Sequence, residues 1–114
     1  MKRLMGVALC TLFVIGFFSS EGLSAEQSNE IKVGVLYSMT GAFAPGGGLR
    51  AYRGCMIAID MINARGGVAG KYKIKPIVAD DQSSPDIAIR EAERLISVEK
   101  VPIIIGVFSS SVAM

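Results

Sequence analysis

The sequence contains no histidine, which removes the side chain most often used as a general base and as a zinc ligand. Cysteine is scarce as well. Cys10 lies in an apolar N-terminal run, and Cys55 is then the single thiol of the remaining chain, so no internal disulfide can form there. The apolar neighbours of Cys55 favour a small buried hydrophobic side chain over a reactive thiol. Without histidine, neither a Ser-His-Asp nor a Cys-His set can be assembled, and we predict that the protein is not an enzyme.

Neither sign of charge dominates, because 12 Lys and Arg residues are balanced by 10 Asp and Glu residues, for a net charge of +2. No basic cluster with interleaved aromatic residues is present, so the sequence predicts no nucleic-acid binding. Hydrophobic residues make up 51% of the 114 positions, which fits one modest domain and excludes a disordered chain.

Residues 1–25 have the three-part pattern of an export signal. Lys2 and Arg3 give a positive start, and an apolar run from residue 4 to residue 18 follows. This run is shorter than the roughly 20 residues that a stable transmembrane helix needs. The pattern predicts a signal peptide cleaved after Ala25 and a periplasmic location, with an uncleaved membrane anchor as the alternative. Residues 26–114 then belong to a single domain.

Strands and helices alternate along this domain, which predicts an α/β fold with a doubly wound parallel sheet. Pro76 cannot donate a ladder hydrogen bond, so we expect its strand at an edge of the sheet. The expected strand order is 2-1-3. Ser84 is expected to cap the second helix, with Pro85 at its first position. We predict strands at Ile31–Tyr37, Lys73–Ala79 and Val101–Phe108, a helix at Leu49–Ala64, a second helix after Ser84, and the start of a third at residues 112–114.

The second helix has an apolar stripe that is expected to be buried, and the third strand is apolar almost throughout, as in a central strand of a parallel sheet. Three strands with two helices leave one apolar sheet edge open, so the sequence indicates part of a larger fold. The stripe consists of Ala88, Ile89, Ala92, Leu95 and Ile96.

Hydroxyl groups follow both the first and the third predicted strand. Ser38 and Thr40 come after the first strand, and Ser109, Ser110 and Ser111 after the third. In an open α/β sheet, ligands bind where the strand order reverses, which lies between these two strands. The N-terminus of a helix also holds carboxylate or phosphate groups. One of the three serines could therefore only cap the third helix, or could also contact a ligand.

Two other motifs, a glycine run and a pair of aspartates, are explained by structural roles. Residues 46–51 match the dinucleotide-binding pattern, but they lie too far beyond the first strand and are interpreted as a flexible loop with a helix-starting glycine. Asp80 and Asp81 are adjacent carboxylates in a loop, for which turn formation and solvation are a sufficient account. We therefore predict no cofactor and no metal.

Five segments of the domain resemble the branched-chain amino-acid-binding proteins of bacterial ABC importers, in order and with compatible spacing. The resemblance implies the first part of the N-terminal lobe of a type I periplasmic-binding-protein fold, whose two lobes close on a ligand. The segments are Ile31–Leu36, Ser38–Gly41, Ile62–Gly70, Asp80–Gln82 together with Pro85, and Gly106–Ser110.

The resemblance also implies site residues. Ser110, with Ser109 or Ser111 as near neighbours, corresponds to the serine that holds the ligand's α-carboxylate. The loop after the first strand, with Thr40 and Phe43, corresponds to the loop that contacts the ligand's side chain. A glycine run stands where some leucine binders have a tyrosine, and serines stand where some members have a disulfide.

The predicted function is the solute-binding component of an ABC importer that captures a branched-chain amino acid or a related small polar molecule. Its predicted partners are this small molecule and a permease in the inner membrane, and the protein is expected to be a monomer. A ligand-sensing domain of the same fold, for short amides, urea or amino acids, is the alternative. Since family members run to several hundred residues, we expect weak or no binding by residues 26–114 alone.

Overall fold

The computed structural model describes residues 29–113. Three strands form a parallel sheet: β1 (Glu30–Tyr37), β2 (Lys73–Asp80) and β3 (Ile104–Gly106). Three helices connect or follow them: α1 (Leu49–Ala64), α2 (Pro85–Ser97) and the short α3 (Ser110–Ala113). A π-helical turn at Ala44–Gly48 leads directly into α1. The predicted export signal lies outside the described residues.

The sheet has the order β2-β1-β3, and both pairings are parallel. Tyr37 lies opposite Asp80, and Leu36 lies opposite Gly106, so the carboxyl ends of the strands are level. The predicted doubly wound α/β fold is confirmed, as are the edge position of β2 and the bounds of α1. None of the helices within residues 29–113 is long and apolar enough to cross a membrane.

The two faces of the sheet carry different helices. On one face, Leu36 and Ala79 pack with Leu95 of α2 and with Val101 in a buried cluster. Successive side chains of a strand point to opposite faces of the sheet. Fully buried Val35 and, two residues further on, Tyr37 therefore point to the face opposite Leu36. There, burial raises the pKa of Tyr37, and the thiol of Cys55 on α1 contributes to this shift.

Three local predictions were wrong. Cys55 was expected to be buried and is only half buried. Ser84 occupies the position before α2, but its side chain makes no capping hydrogen bond. In the apolar stripe of α2, Ala88 and Leu95 are buried, whereas Ile89 and Ile96 are 53% and 57% exposed. The apolar stripe of α2 is wider than the sheet surface of the three described strands, so Ile89 and Ile96 at its edges stay exposed within residues 29–113.

The third strand is also shorter than the predicted range Val101–Phe108. The N–H group of Val101 donates to the carbonyl of Leu95, which ties this residue to the end of α2. Pro102 has no N–H group to donate. At the other end, Val107 has a φ of 63°, which turns the chain out of the sheet. Only Ile104–Gly106 pairs with β1.

Asn63, near the end of α1, binds the backbone of β2. Its amide nitrogen donates to the carbonyl of Ile74 at 2.8 Å, and its amide oxygen accepts from the N–H group of Ile74 at 2.8 Å. The side chain therefore satisfies both backbone groups of one edge-strand residue and fastens α1 to the sheet.

Replacing Asn63 by alanine is expected to lower the free energy of unfolding by about 2 kcal/mol, since two partly buried hydrogen bonds of about 1 kcal/mol each are lost. Urea unfolding would measure this difference. Arg53→Ala, on an exposed position of the same helix, should change stability by less than about 0.5 kcal/mol. Equal effects of the two substitutions would contradict the proposed contribution of Asn63.

Candidate functional site

The candidate site lies at the carboxyl ends of the strands, where three loops meet. The loop after β1 runs through residues 38–48, the loop after β2 through residues 81–84, and the loop after β3 through residues 107–109. In the sheet, β2 lies on one side of β1 and β3 lies on the other side. The chain therefore passes from β1 to β2 in one direction and then crosses back past β1 to reach β3. The strand order reverses at this point, which is where open α/β sheets bind their ligands.

Asp80, the last residue of β2, joins the first two loops. One carboxylate oxygen accepts hydrogen bonds from the N–H groups of Met39 (2.9 Å), Thr40 (3.3 Å) and Gln82 (2.9 Å). The other accepts from the hydroxyl of Thr40 at 2.7 Å. Partial burial raises the pKa of Asp80, but these hydrogen bonds stabilise the charged form and bring the pKa below its usual value.

Ser83 makes a second connection between the same loops. Its hydroxyl donates to the carbonyl of Thr40 at 2.8 Å and accepts from the N–H group of Phe43 at 2.9 Å. The loops after β1 and β2 are thus one hydrogen-bonded unit.

The interpretation of Asp80 and Asp81 as turn formers is confirmed, because each carboxylate accepts a hydrogen bond from the N–H group two residues further on, but the expected solvation was wrong. Asp80 fixes two loops, and Asp81 is fully buried. One oxygen of Asp81 accepts from the N–H group of Ser83 at 2.8 Å. The other oxygen and the hydroxyl of fully buried Ser38 have no hydrogen-bond partner among the residues that the structure describes. No group of three acidic or cysteine side chains that could hold a metal occurs within residues 29–113.

Thr40 and Phe43, two of the predicted site residues, belong to this unit. Because the hydroxyl of Thr40 donates its hydrogen to Asp80, its oxygen can only accept a further hydrogen bond. Thr40 is therefore unsuited to donate to a ligand carboxylate. Phe43 is half buried and precedes the π-helical turn.

The three serines lie at the start of α3. The carbonyl of Ser109 accepts from the N–H groups of Val112 and Ala113, so Ser109 opens the helical turn. The hydroxyls of Ser109 and Ser111 are hydrogen-bonded to each other at 2.8 Å. Ser110 is exposed between them, at the first position of α3. The structure places these hydroxyls at the reversal point, as predicted, and the ligand-binding role of the serines stays a prediction.

The loops after β1 and β3 meet at Gly47 and Phe108. A Cβ atom at position 47 would lie 2.4 Å from two ring carbons of Phe108, so the ring lies directly against the glycine. The glycine run, predicted as a flexible loop, forms the π-helical turn instead, and Gly47 and Gly48 are buried in it. Sequence reasoning missed Asp80, Ser83, Gly47 and Phe108, because their contacts join residues about 40 or more positions apart.

An open parallel α/β sheet whose strand order reverses between β1 and β3 is an architecture in which small ligands bind beyond the carboxyl ends of the strands. Comparison with known proteins places the chain more narrowly. The family model described as "Periplasmic binding protein" matches residues 30–114, and the chain belongs to that family.

The chain is 45% identical over 91 residues to Leu/Ile/Val-binding protein homolog 7 of Brucella suis, covering 80% of this chain and 22% of that protein. It is 36% identical to an amino acid binding protein of Pseudomonas aeruginosa, covering 88% and 26% of the two chains. The fold is also similar to a crystal structure from Streptococcus pneumoniae, that of the branched-chain amino acid transporter substrate binding protein LivJ in complex with isoleucine. The TM-score is 0.69 and the sequence identity is 30%, and the match covers 74% of this chain and 24% of that one.

These findings confirm the resemblance to branched-chain amino-acid-binding proteins of ABC importers and the type I periplasmic-binding-protein fold. The chain spans about a quarter or less of the length of these relatives. The relatives are binding proteins.

Proposed function

We propose that the chain is part of the solute-binding component of an ABC importer and that it captures an amino acid of the branched-chain type. The observation that carries this proposal is Ser110, exposed at the first position of α3 beside the reversal point of the sheet. The first N–H groups of a helix lack intrahelical partners, and a serine hydroxyl there adds another donor. Such a group of donors suits the α-carboxylate of an amino acid.

The state of the neighbouring hydroxyls supports Ser110 in this role. Ser109 and Ser111 are hydrogen-bonded to each other, so one of their two hydroxyl hydrogens is already used. Thr40 donates to Asp80, which leaves its hydroxyl without a hydrogen for a carboxylate. Ser110 is thus the better donor among the predicted hydroxyls, with Ser109 and Ser111 beside it.

The relatives support the class of ligand. The Brucella protein is named for leucine, isoleucine and valine, and the Streptococcus protein was crystallised with isoleucine. We propose a periplasmic location after export through residues 1–25, a monomeric receptor, and a permease in the inner membrane as its partner. In this function the protein binds and releases its ligand without a catalytic step.

Replacing Ser110 by alanine is expected to weaken amino-acid binding by about tenfold or more, which corresponds to about 1.4 kcal/mol for a hydrogen bond to a charged group. The measurement is calorimetric titration with leucine, isoleucine and valine. It uses the full protein encoded by the reading frame of this sequence, because the chain spans about a quarter or less of its relatives.

Ser97→Ala is the matched control, since Ser97 is an exposed serine at the last position of α2, away from the three loops of the candidate site. Its dissociation constants should equal those of the unmodified protein. An unchanged affinity in Ser110→Ala would refute the assigned role of Ser110, and the absence of amino-acid binding in the unmodified protein would refute the proposed function.

A further inference from the structure

Two polar atoms are enclosed beneath the loops after β1 and β2. Ser38 and Asp81 are both fully buried. The hydroxyl oxygen of Ser38 and the carboxylate oxygen Oδ2 of Asp81 have no hydrogen-bond partner among residues 29–113. Burying a polar group without a hydrogen bond lowers stability, and the cost is larger when the group carries a charge. The two atoms therefore need a partner that the described residues do not supply.

The backbone brings these two residues together. Tyr37 and Asp80 are opposite each other in the parallel register of β1 and β2, and Ser38 and Asp81 are the next residues along the two strands. The N–H group of Asp81 donates to the carbonyl of Tyr37 at 3.1 Å. With standard backbone dimensions, this hydrogen bond brings the Cα atoms of Ser38 and Asp81 within about 7.5 Å of each other. One small ion between the two side chains can therefore contact both.

The carboxylate of Asp81 has little to balance its charge. Within residues 29–113, none of the ion pairs includes Asp81, and its side chain accepts one hydrogen bond, from the N–H group of Ser83 at 2.8 Å. Asp80, which is only partly buried, accepts four. Buried charges in proteins are paired with an opposite charge or coordinate a metal ion. The partner of Asp81 is therefore expected to be positively charged.

Further parts of the polypeptide are poorly placed to supply this positive charge. Both atoms are already closed off from the solvent, so a side chain that arrives from outside would have to displace the residues around them. The packing beside α1 is tight, since a Cβ atom at Gly48 would lie 2.9 Å from the Cβ atom of Ser38. A small ion that is enclosed while the loops fold requires no such displacement.

We propose that Ser38 and Asp81 bind a small monovalent cation of the size of Na⁺. Hard cations prefer oxygen ligands, which the carboxylate, the hydroxyl and the neighbouring backbone carbonyls provide. One carboxylate neutralises one positive charge, whereas Ca²⁺ takes about six to eight oxygen ligands and commonly several carboxylates. The bound cation joins the ends of β1 and β2 beneath the hydrogen bonds of Asp80 and Ser83, and it thereby stabilises two loops of the candidate site.

The test is thermal unfolding of the full protein encoded by the reading frame, without an amino-acid ligand, in NaCl or choline chloride at the same ionic strength. Choline carries the same charge as Na⁺ but is too large for a closed site. NaCl is expected to raise the Tm by about 3 °C or more relative to choline chloride, and the increase should saturate with the Na⁺ concentration.

Two substitutions locate the effect. Asp81→Asn removes the charge and should abolish the difference in Tm between the two salts. Ser38→Ala keeps the carboxylate and should raise the half-saturating Na⁺ concentration by about fivefold or more, because one ligand is lost. Asp86→Asn is the matched control, since Asp86 is an exposed carboxylate in the first turn of α2, and it should retain the full difference.

Equal Tm values in NaCl and choline chloride would overturn the cation site and leave a buried water molecule as the partner of the two atoms. A Na⁺ effect of unchanged size and midpoint in Ser38→Ala and Asp81→Asn would also overturn it, because the cation would then bind elsewhere. If Asp81→Asn does not fold, the unmodified protein and Ser38→Ala decide the question. None of these results depends on amino-acid binding at Ser110, so the proposed function is tested separately.

Discussion

Replacing Gly106 by alanine is expected to destabilise the protein by about 4 kcal/mol or more, which is at the upper end of single-residue effects. Gly106 has a φ of 144°, a conformation that side chains rarely adopt. A Cβ atom there would lie 1.8 Å from the carbonyl oxygen of Leu36 on β1. That carbonyl is held in place because it accepts a hydrogen bond from the N–H group of Val107 at 2.8 Å. The backbone must therefore move apart at the centre of the sheet.

Chemical denaturation of the full protein, unmodified and with Gly106→Ala, would measure the effect. The control is Gly54→Ala on α1, where a Cβ atom meets nothing within 4 Å. Since alanine has the higher helix propensity, Gly54→Ala should stabilise the protein by about 0.5–1 kcal/mol. A loss of less than about 1 kcal/mol in Gly106→Ala would contradict the close packing of β3 on β1.

Replacing Asp80 is expected to have the second-largest effect on stability. The carboxylate accepts four hydrogen bonds, and Asp80→Ala leaves the donors of Met39, Thr40 and Gln82 without this partner. Because the site is partly exposed and water replaces some of these bonds, we expect a loss of about 2–4 kcal/mol. The loops after β1 and β2 should separate first, which hydrogen exchange of the Met39 and Thr40 amides would show.

Asp80 also makes stability depend on pH. Its folded-state pKa lies below the ordinary value of 3.8, because the hydrogen bonds favour the charged form over the opposing effect of burial. Its contribution is therefore complete above pH 3.8 and is lost as the pH falls through the lower folded-state value. Unfolding curves between neutral and strongly acidic pH should show this loss.

Asp80→Asn should flatten the acidic part of the stability curve, while Asp60→Asn, at an exposed position of α1, should leave its shape unchanged. A curve for Asp80→Asn that is parallel to that of the unmodified protein would show that Asp80 is not the titrating group.

The elements with a strong local pattern could be predicted from the sequence. The helical spacing in residues 49–64 and the glycines that end it specify α1, and Pro76 specifies an edge strand. The length of β3 could not be predicted, because an apolar run shows neither the hydrogen bond from Val101 to α2 nor the positive φ of Val107. Apolar composition describes burial and contains no information on backbone direction.

The order of elements around the candidate site was predictable, but the contacts within it were not. The rule that ligands bind at the reversal of strand order needs only the order of elements, and the structure has Ser109, Ser110 and Ser111 after β3, at the start of α3, while their role in binding stays a prediction. The hydrogen bond from Thr40 to Asp80 joins residues 40 positions apart, and the contact between Gly47 and Phe108 joins residues of two different loops. Such contacts depend on the tertiary structure, which the local sequence pattern does not specify.

The binding of Asn63 to Ile74 determines in which direction the sheet can grow. In a parallel ladder, alternate residues of an edge strand direct their backbone groups outward, so Pro76 shares the outer side with Ile74. The N–H group and the carbonyl of Ile74 are already hydrogen-bonded to the side chain of Asn63, and Pro76 has no N–H group that could donate. A further strand would find no continuous row of hydrogen-bonding groups beside β2. Additional strands, whether from the same polypeptide or from another molecule, can therefore join this sheet only beside β3.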